Sequence, residues 1–130
     1  MSEYEADIVI IGAGPTGLLM ANLLSYQKDL NILIVDKKKK IEQLSKCTTI
    51  QPRIVQLLKK IGAKIDTDRF IYGLKSRIIN HEGDNLGFYS DFNTFNHKPA
   101  LSIPQYQIEL QLMSLLSNKS NVTILFNTEF

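Results

Sequence analysis

Three glycines and one carboxylate carry the clearest chemistry in this sequence. Gly12-Ala-Gly14-Pro15-Thr16-Gly17 has the spacing G-x-G-x-x-G, and Asp36 follows roughly 20 residues on. The first glycine permits a tight turn out of a strand. The second has no side chain to hold a phosphate away from the backbone, and the third lets a helix lie close on its sheet. A helix opening at Pro15 adds the unpaired amides and partial positive charge of its N-terminus, so a pyrophosphate is held without any cationic side chain. Asp36 stands where it can accept both hydroxyl protons of an adenosine ribose, and its charge disfavours a ribose bearing a 2′-phosphate. The run Lys37 to Lys40 could offset that repulsion, but a solvated turn after the strand accounts for it more simply.

Glycine turns are common, so the motif needs the right elements around it. Residues 6–11 form a short apolar run rich in β-branched residues and bounded by Gly12, the signature of a buried parallel strand. From Pro15 the period becomes helical, pairing Leu19 with Leu23 and Met20 with Leu24. Residues 31–36 make a second buried strand that ends on Asp36. Strand, turn, helix and strand form one βαβ unit whose crossover should be right-handed.

Further along, residues 52–61 predict a second helix with Ile54, Leu57, Leu58 and Ile61 on one face, Lys59 and Lys60 in its last turn and Gly62 as its stop. Residues 75–80 and 86–92 predict two strands joined at a hairpin turn over 81–85, and 91–99 a polar, aromatic loop. A third helix is expected over 105–117, with Ile108, Leu112, Leu115 and Leu116 on one face, and a last strand over Val122–Phe126.

Composition narrows the class. The 130 residues suit one ordinary domain, with 44% hydrophobic and 22% charged residues, as in a soluble globular protein. A net charge of +2, from 15 basic and 13 acidic residues, predicts neither a nucleic-acid binder nor a membrane-surface protein. No apolar run approaches the roughly 20 residues that span a bilayer. The acidic N-terminus is unlike a secretory signal, and the single Cys47 excludes an intrachain disulfide, so a cytoplasmic setting is expected. No Ser/His/Asp grouping, metal-ligand spacing or carboxylate pair proposes a catalytic centre, and no metal site is expected. His81 and His97 read as surface residues.

The segment DIVIIGAGPTGL (7–18) closely resembles the N-terminus of FAD-dependent monooxygenases of the para-hydroxybenzoate hydroxylase type, the class A flavoprotein hydroxylases. Three more segments continue the resemblance in order, and a last strand closes it. SKCTTIQPR (45–53) is similar to the family's Ser-Arg-Ala segment, which implies that Lys46 takes the place of an arginine reaching the FAD pyrophosphate and ribose region. A lysine keeps the charge and loses the bidentate fork. Cys47 replaces the family's small alanine, which implies packing rather than a reactive thiol, and Arg53 also matches a family position. The hairpin resembles the start of a β-rich substrate domain. IPQYQIELQL (103–112) is similar to the family's Gln-x-x-x-Glu-x-x-Leu segment, implying that Gln105 contacts the flavin side of the cofactor and that Glu109 supports the helix. NVTILF (121–126) resembles the strand that rejoins the FAD sheet.

The resemblance implies an α/β fold: a Rossmann-like βαβ FAD-binding domain of the GR2 flavoprotein type, incomplete, with a short β-hairpin from the substrate domain. It implies a first part of the FAD-binding domain over 1–72, the start of the substrate domain over 73–100 and a return over 101–130. FAD is the expected cofactor, with Gly12, Gly14, Pro15, Thr16, Gly17, Asp36, Lys37, Lys46 and Gln105 around it and no catalytic residue in this stretch. NAD(P)H is the transient co-substrate in the full-length family, and a small aromatic or apolar compound is the substrate. The family's later Asp-Gly and Gly-Asp motifs are not in this sequence, so the chain reads as truncated, and exposed apolar surface on its leucine-striped helices and last strand is expected to drive self-association. Two alternatives remain: a catalytically inactive remnant that at most binds FAD or ADP, and a fragment of an NAD-dependent dehydrogenase.

Overall fold

The computed structural model describes residues 4–44, 49–65, 71–72, 76–89 and 101–130. In chain order these form β1 (Ile8–Ile11), α1 (Pro15–Leu24), β2 (Ile32–Asp36), β3 (Thr49–Ile50), α2 (Pro52–Lys60), β4 (Ile71–Tyr72), β5 (Ser76–Ile79), β6 (Asn85–Tyr89), β7 (Leu101–Ser102), α3 (Gln105–Leu116) and β8 (Val122–Phe126).

The expected βαβ unit is present, and β8 completes a parallel sheet of order β1-β2-β8. The register aligns Ile10, Ile34 and Ile124 across one face and Ile11, Val35 and Leu125 across the other. The first face is covered. Leu18 and Ala21 of α1, with Ile108, Leu112 and Leu116 of α3, close over Ile32 and Ile34, and Leu58 and Ile61 belong to the same core. The second face is not fully covered: Val9 is 46% and Ile11 65% exposed. The expectation of a doubly buried first strand is therefore corrected, because β1 lies at a sheet edge and only its Ile8 and Ile10 side turns toward the helices.

The helix faces also differ from their predicted stripes. In α1, Met20 and Leu23 stand exposed, and the buried line is Leu18, Ala21, Asn22 and Ser25. Two of these are polar, and both are satisfied. The Asn22 amide donates to the carbonyl of Leu18 at 2.8 Å and to that of Leu112 on α3 at 2.9 Å, while the Ser25 hydroxyl donates to Asn22 O. In α3 the buried line is Ile108, Glu109, Leu112 and Leu116, and in α2 Ile54 turns to solvent while Leu58 is buried. The leucine stripes of α2 and α3 thus do have a covering core, and the exposed apolar surface is shared among the sheet, the hairpin and single helix positions such as Met20, Leu23, Ile54 and Leu110.

The long passage from β2 to β8 holds two small antiparallel sheets. β7 lies between β3 and β4, so the chain leaves that sheet after Tyr72 and re-enters it at Leu101. These two-residue strands are absent from the expectation above, being too short for a period to show. The expected hairpin is β5–β6, with Gly83 at a φ of 92° in its turn. The Asn80 side-chain oxygen accepts from the amides of Glu82 and Asp84, folding the turn, and His81 stands on it exposed, as read from sequence. The expected loop over 91–99, including His97, lies outside the described residues.

Asn22 and Asn121 fasten these layers. Asn121, just before β8, donates to the carbonyls of Gln27 and Leu30 in the turn between α1 and β2. Removing Asn22 leaves the Leu112 carbonyl buried without its side-chain donor. Asn22→Ala is expected to lower stability by about 1–3 kcal/mol, read as a fall in the urea midpoint at constant slope; an unchanged midpoint contradicts the α1–α3 tie.

Candidate functional site

The glycine loop leaves β1 at its carboxyl end. Gly12 adopts a φ of 103°, which side-chain-bearing residues rarely tolerate, and its amide donates to Val35 O at 2.7 Å, so the turn starts while still paired to β2. Gly17 sits where a Cβ would collide with the Gly12 carbonyl oxygen and press on Ile10 Cγ2 at 3.2 Å. It is required for packing. Gly14 differs, because its φ of −81° suits any residue and a Cβ there would meet nothing within 4 Å. Among the described residues no group fills that space, which is the approach a pyrophosphate needs. Gly14 is also the N-cap of α1, with Pro15 next, no side chain capping the helix and no acidic residue in its first turn. The first-turn amides, those of Thr16 and Gly17 among them, remain for an anion.

Asp36 is held by two backbone amides. Ala13 N donates to Oδ2 at 2.8 Å and Lys38 N to Oδ1 at 2.8 Å. Burial of the carboxylate works to raise its pKa, but these two bonds and the charges of Lys38 and Lys37 outweigh it, so the group titrates below its ordinary 3.8. Each carboxylate oxygen has two acceptor sites, so one bond to each leaves room for a ribose hydroxyl. After β8 the chain folds back onto this corner, with Asn127 N donating to Lys38 O and Thr128 N to Asp36 O. The result is a cleft of about 370 Å³ lined by Ile11, Val35, Asp36, Lys38, Thr128 and Glu129 among others. Its volume falls in the roughly 300–1,000 Å³ typical of small-ligand sites. It opens on the Ile11 and Val35 side of the sheet.

Gln105 begins α3, on the opposite face. Both helices precede parallel strands and so start at the carboxyl end of the sheet. The Asn22–Leu112 bond ties the two helices together, and Asn22 is as many residues from the N-cap Gly14 as Leu112 is from the N-cap Pro104. Gln105 is half-buried there and donates from Nε2 to Glu109 Oε1 at 2.8 Å.

The predicted residues thus divide. Gly12, Gly14, Pro15, Thr16, Gly17 and Asp36 come together, and Gln105 stands at the start of α3, the helix tied to α1 through Asn22. Lys37 borders the cleft, exposed to solvent. Lys46 and Cys47 lie outside the described residues, and Arg53 is exposed on α2. Sequence reasoning missed Ala13 and Lys38, which act through backbone amides, and Thr128 and Glu129, which reach the cleft only through the fold. Among the described residues no group of three or more His, Cys, Asp or Glu could hold a metal ion, and no helix is long and apolar enough to cross a membrane.

An uncapped helix start behind a glycine turn, with a carboxylate closing the next strand, defines an α/β dinucleotide-binding domain. Residues 5–130 match the family of the FAD binding domain, and the chain belongs to that family. It is 33% identical over 57 residues to a rifampicin monooxygenase of Rhodococcus hoagii, and 30% over 60 residues to a 3-(3-hydroxy-phenyl)propionate/3-hydroxycinnamic acid hydroxylase of Burkholderia vietnamiensis. Those matches take in 44% and 46% of this chain, and 12% and 10% of those proteins. The fold is similar to that of p-nitrophenol 4-monooxygenase PnpA from Pseudomonas putida, with a TM-score of 0.70, 18% identity and coverage of 98% of this chain and 33% of that one. It is also similar to the flavin-dependent monooxygenase PieE in complex with FAD and substrate, with a TM-score of 0.71, 15% identity and coverage of 98% and 24%. The chain therefore spans a third or less of the length of these structures.

Two glycine variants separate packing from binding. Gly17→Ala should destabilise the fold, seen as a lowered melting temperature. Gly14→Ala should leave the melting temperature within a few degrees and weaken FAD binding at least about tenfold, since its methyl group occupies the phosphate approach. Equal behaviour of the two would contradict these assignments. Asp36 gives a pH prediction. Its folded pKa is lowered, so its stabilisation is full above 3.8 and is lost as pH falls through the folded value. Between about pH 5 and pH 2 the wild type should lose more stability than Asp36→Asn; parallel curves would show that the carboxylate is not the linked group.

Proposed function

We propose that this chain is the FAD-binding portion of a flavoprotein monooxygenase that uses NAD(P)H and oxygen to hydroxylate an aromatic or similarly apolar small molecule. The observation that carries the reading is the approach at Gly14, open among the described residues, at the end of the sheet that also carries the Asp36 cleft and the start of α3 at Gln105. A ligand crossing that loop must be extended, with a pyrophosphate in the middle. In this reading Asp36 holds the adenosine ribose, the amides after Gly14 with Pro15 and Thr16 hold the pyrophosphate, and Lys37 and Lys46 add positive charge. Gln105 meets the flavin side. Bound FAD supplies the transfer of electrons from NAD(P)H to oxygen, and the residues of this chain bind and orient it. Aromatic and phenolic substrates in the names of the relatives favour that substrate class. The return of the chain to the small sheet at Leu101 supports a substrate-domain excursion over 73–100. The lone Cys47 supports a cytoplasmic setting.

For the 130-residue chain by itself we propose binding without turnover. Val9 and Ile11 face water beside the site, whereas flavin oxygen chemistry requires a closed, water-excluding one. The same residues, with Ile78, Ile79 and Leu86 of the hairpin, support self-association.

Calorimetry on the purified chain should show FAD binding tighter than ADP, and ADP tighter than NADP. NADH-driven oxygen consumption with added FAD should stay at background. Absence of FAD binding would remove the cofactor reading, tighter NAD than FAD binding would favour a dehydrogenase fragment, and full turnover would overturn the claim of inactivity. Size-exclusion chromatography should show concentration-dependent association; one sharp monomer peak at all concentrations contradicts it.

A further inference from the structure

Glu109 is only 5% exposed, yet among the described residues no cation pairs with it. Its hydrogen bond is to Gln105 Nε2, one helical turn earlier. Burying a carboxylate is costly, and an apolar residue would pack in that line with Ile108, Leu112 and Leu116 at no such cost. A primary amide is nearly symmetric in shape and can present either its oxygen or its NH₂ to a ligand. A carboxylate accepts only, so it selects one of the two orientations.

We infer that Glu109 is a positioning residue for the bound cofactor: it fixes the Gln105 carboxamide with Nε2 turned back into α3, leaving the carbonyl oxygen and the second N–H for the ligand. This rests on the reading that Gln105 meets the flavin side of FAD. Neither Gln105 nor Glu109 lines the cleft at Asp36, so Glu109 acts on the flavin half of the ligand and not on the adenosine half.

A double-mutant cycle on the full chain tests this, with FAD and ADP as separate probes in calorimetry and thermal melting as the control. Glu109→Leu keeps the volume and removes the acceptor; it should hold or raise the melting temperature, weaken FAD roughly 3- to 10-fold and leave ADP unchanged. Gln105→Ala should weaken FAD by at least as much, and the double variant should match Gln105→Ala alone, within about twofold. Glu109→Gln, which retains an acceptor oxygen, should recover part of the loss. The inference is overturned if Glu109→Leu leaves FAD affinity unchanged, weakens ADP equally, or adds its full effect in the Gln105→Ala background. If Gln105→Ala has no effect on FAD while Gly14→Ala abolishes binding, the inference falls and the cofactor reading stands. If the wild-type chain binds no FAD, the cofactor reading itself fails.

Discussion

Everything at the carboxyl end of the sheet depends on one buried carboxylate. Asp36 takes the amide of Ala13 on one oxygen and that of Lys38 on the other, tying the turn after β1 to the turn after β2. Without it the glycine loop would be anchored mainly by the Gly12–Val35 bond and by Gly17 packing under the Gly12 carbonyl. The charged form is favoured because the two amides and neighbouring lysines outweigh desolvation. The carboxylate is thus a structural clip that uses one acceptor site on each oxygen and keeps a second on each.

The helices extend that constraint across the sheet. Asn22 reaches from α1 to a carbonyl of α3 and ties together the two helices that start at the carboxyl end of the sheet. The Asn22 side chain that makes this tie is buried, as is Glu109 beside Gln105, and both polar groups serve the packing of the helices rather than the surface. The outer face of the sheet shows the complementary state: Val9 and Ile11 are apolar, aligned by the register and open to water.

Much of this was legible in the sequence for local reasons. Gly12, Gly14, Gly17 and Asp36 announce a dinucleotide loop because each has a separate steric or electrostatic task at a fixed spacing. The helix and strand positions followed from short periodic runs. What escaped was non-local. In α1 the residues around Leu18 to Leu24 are apolar almost all round, so the period did not say that the line through Asn22 and Ser25 would be buried. Those two are buried because they find backbone carbonyls. The pairs β3–β7 and β4–β7 are two residues long and carry no alternation to read. Ala13 and Lys38 serve through amides that every residue possesses, and Thr128 reaches the cleft only because β8 pairs beside β2.

The central claim, that the loop amides and Asp36 together receive an ADP moiety, is tested most directly by amide NMR of the chain titrated with ADP. The predicted result is saturable shifts centred on Ala13, Thr16, Gly17 and Lys38, absent in Asp36→Ala, with the amides of β5 and β6 unmoved. Shifts confined to other parts of the chain, or none at saturating ADP in a folded sample, would contradict it.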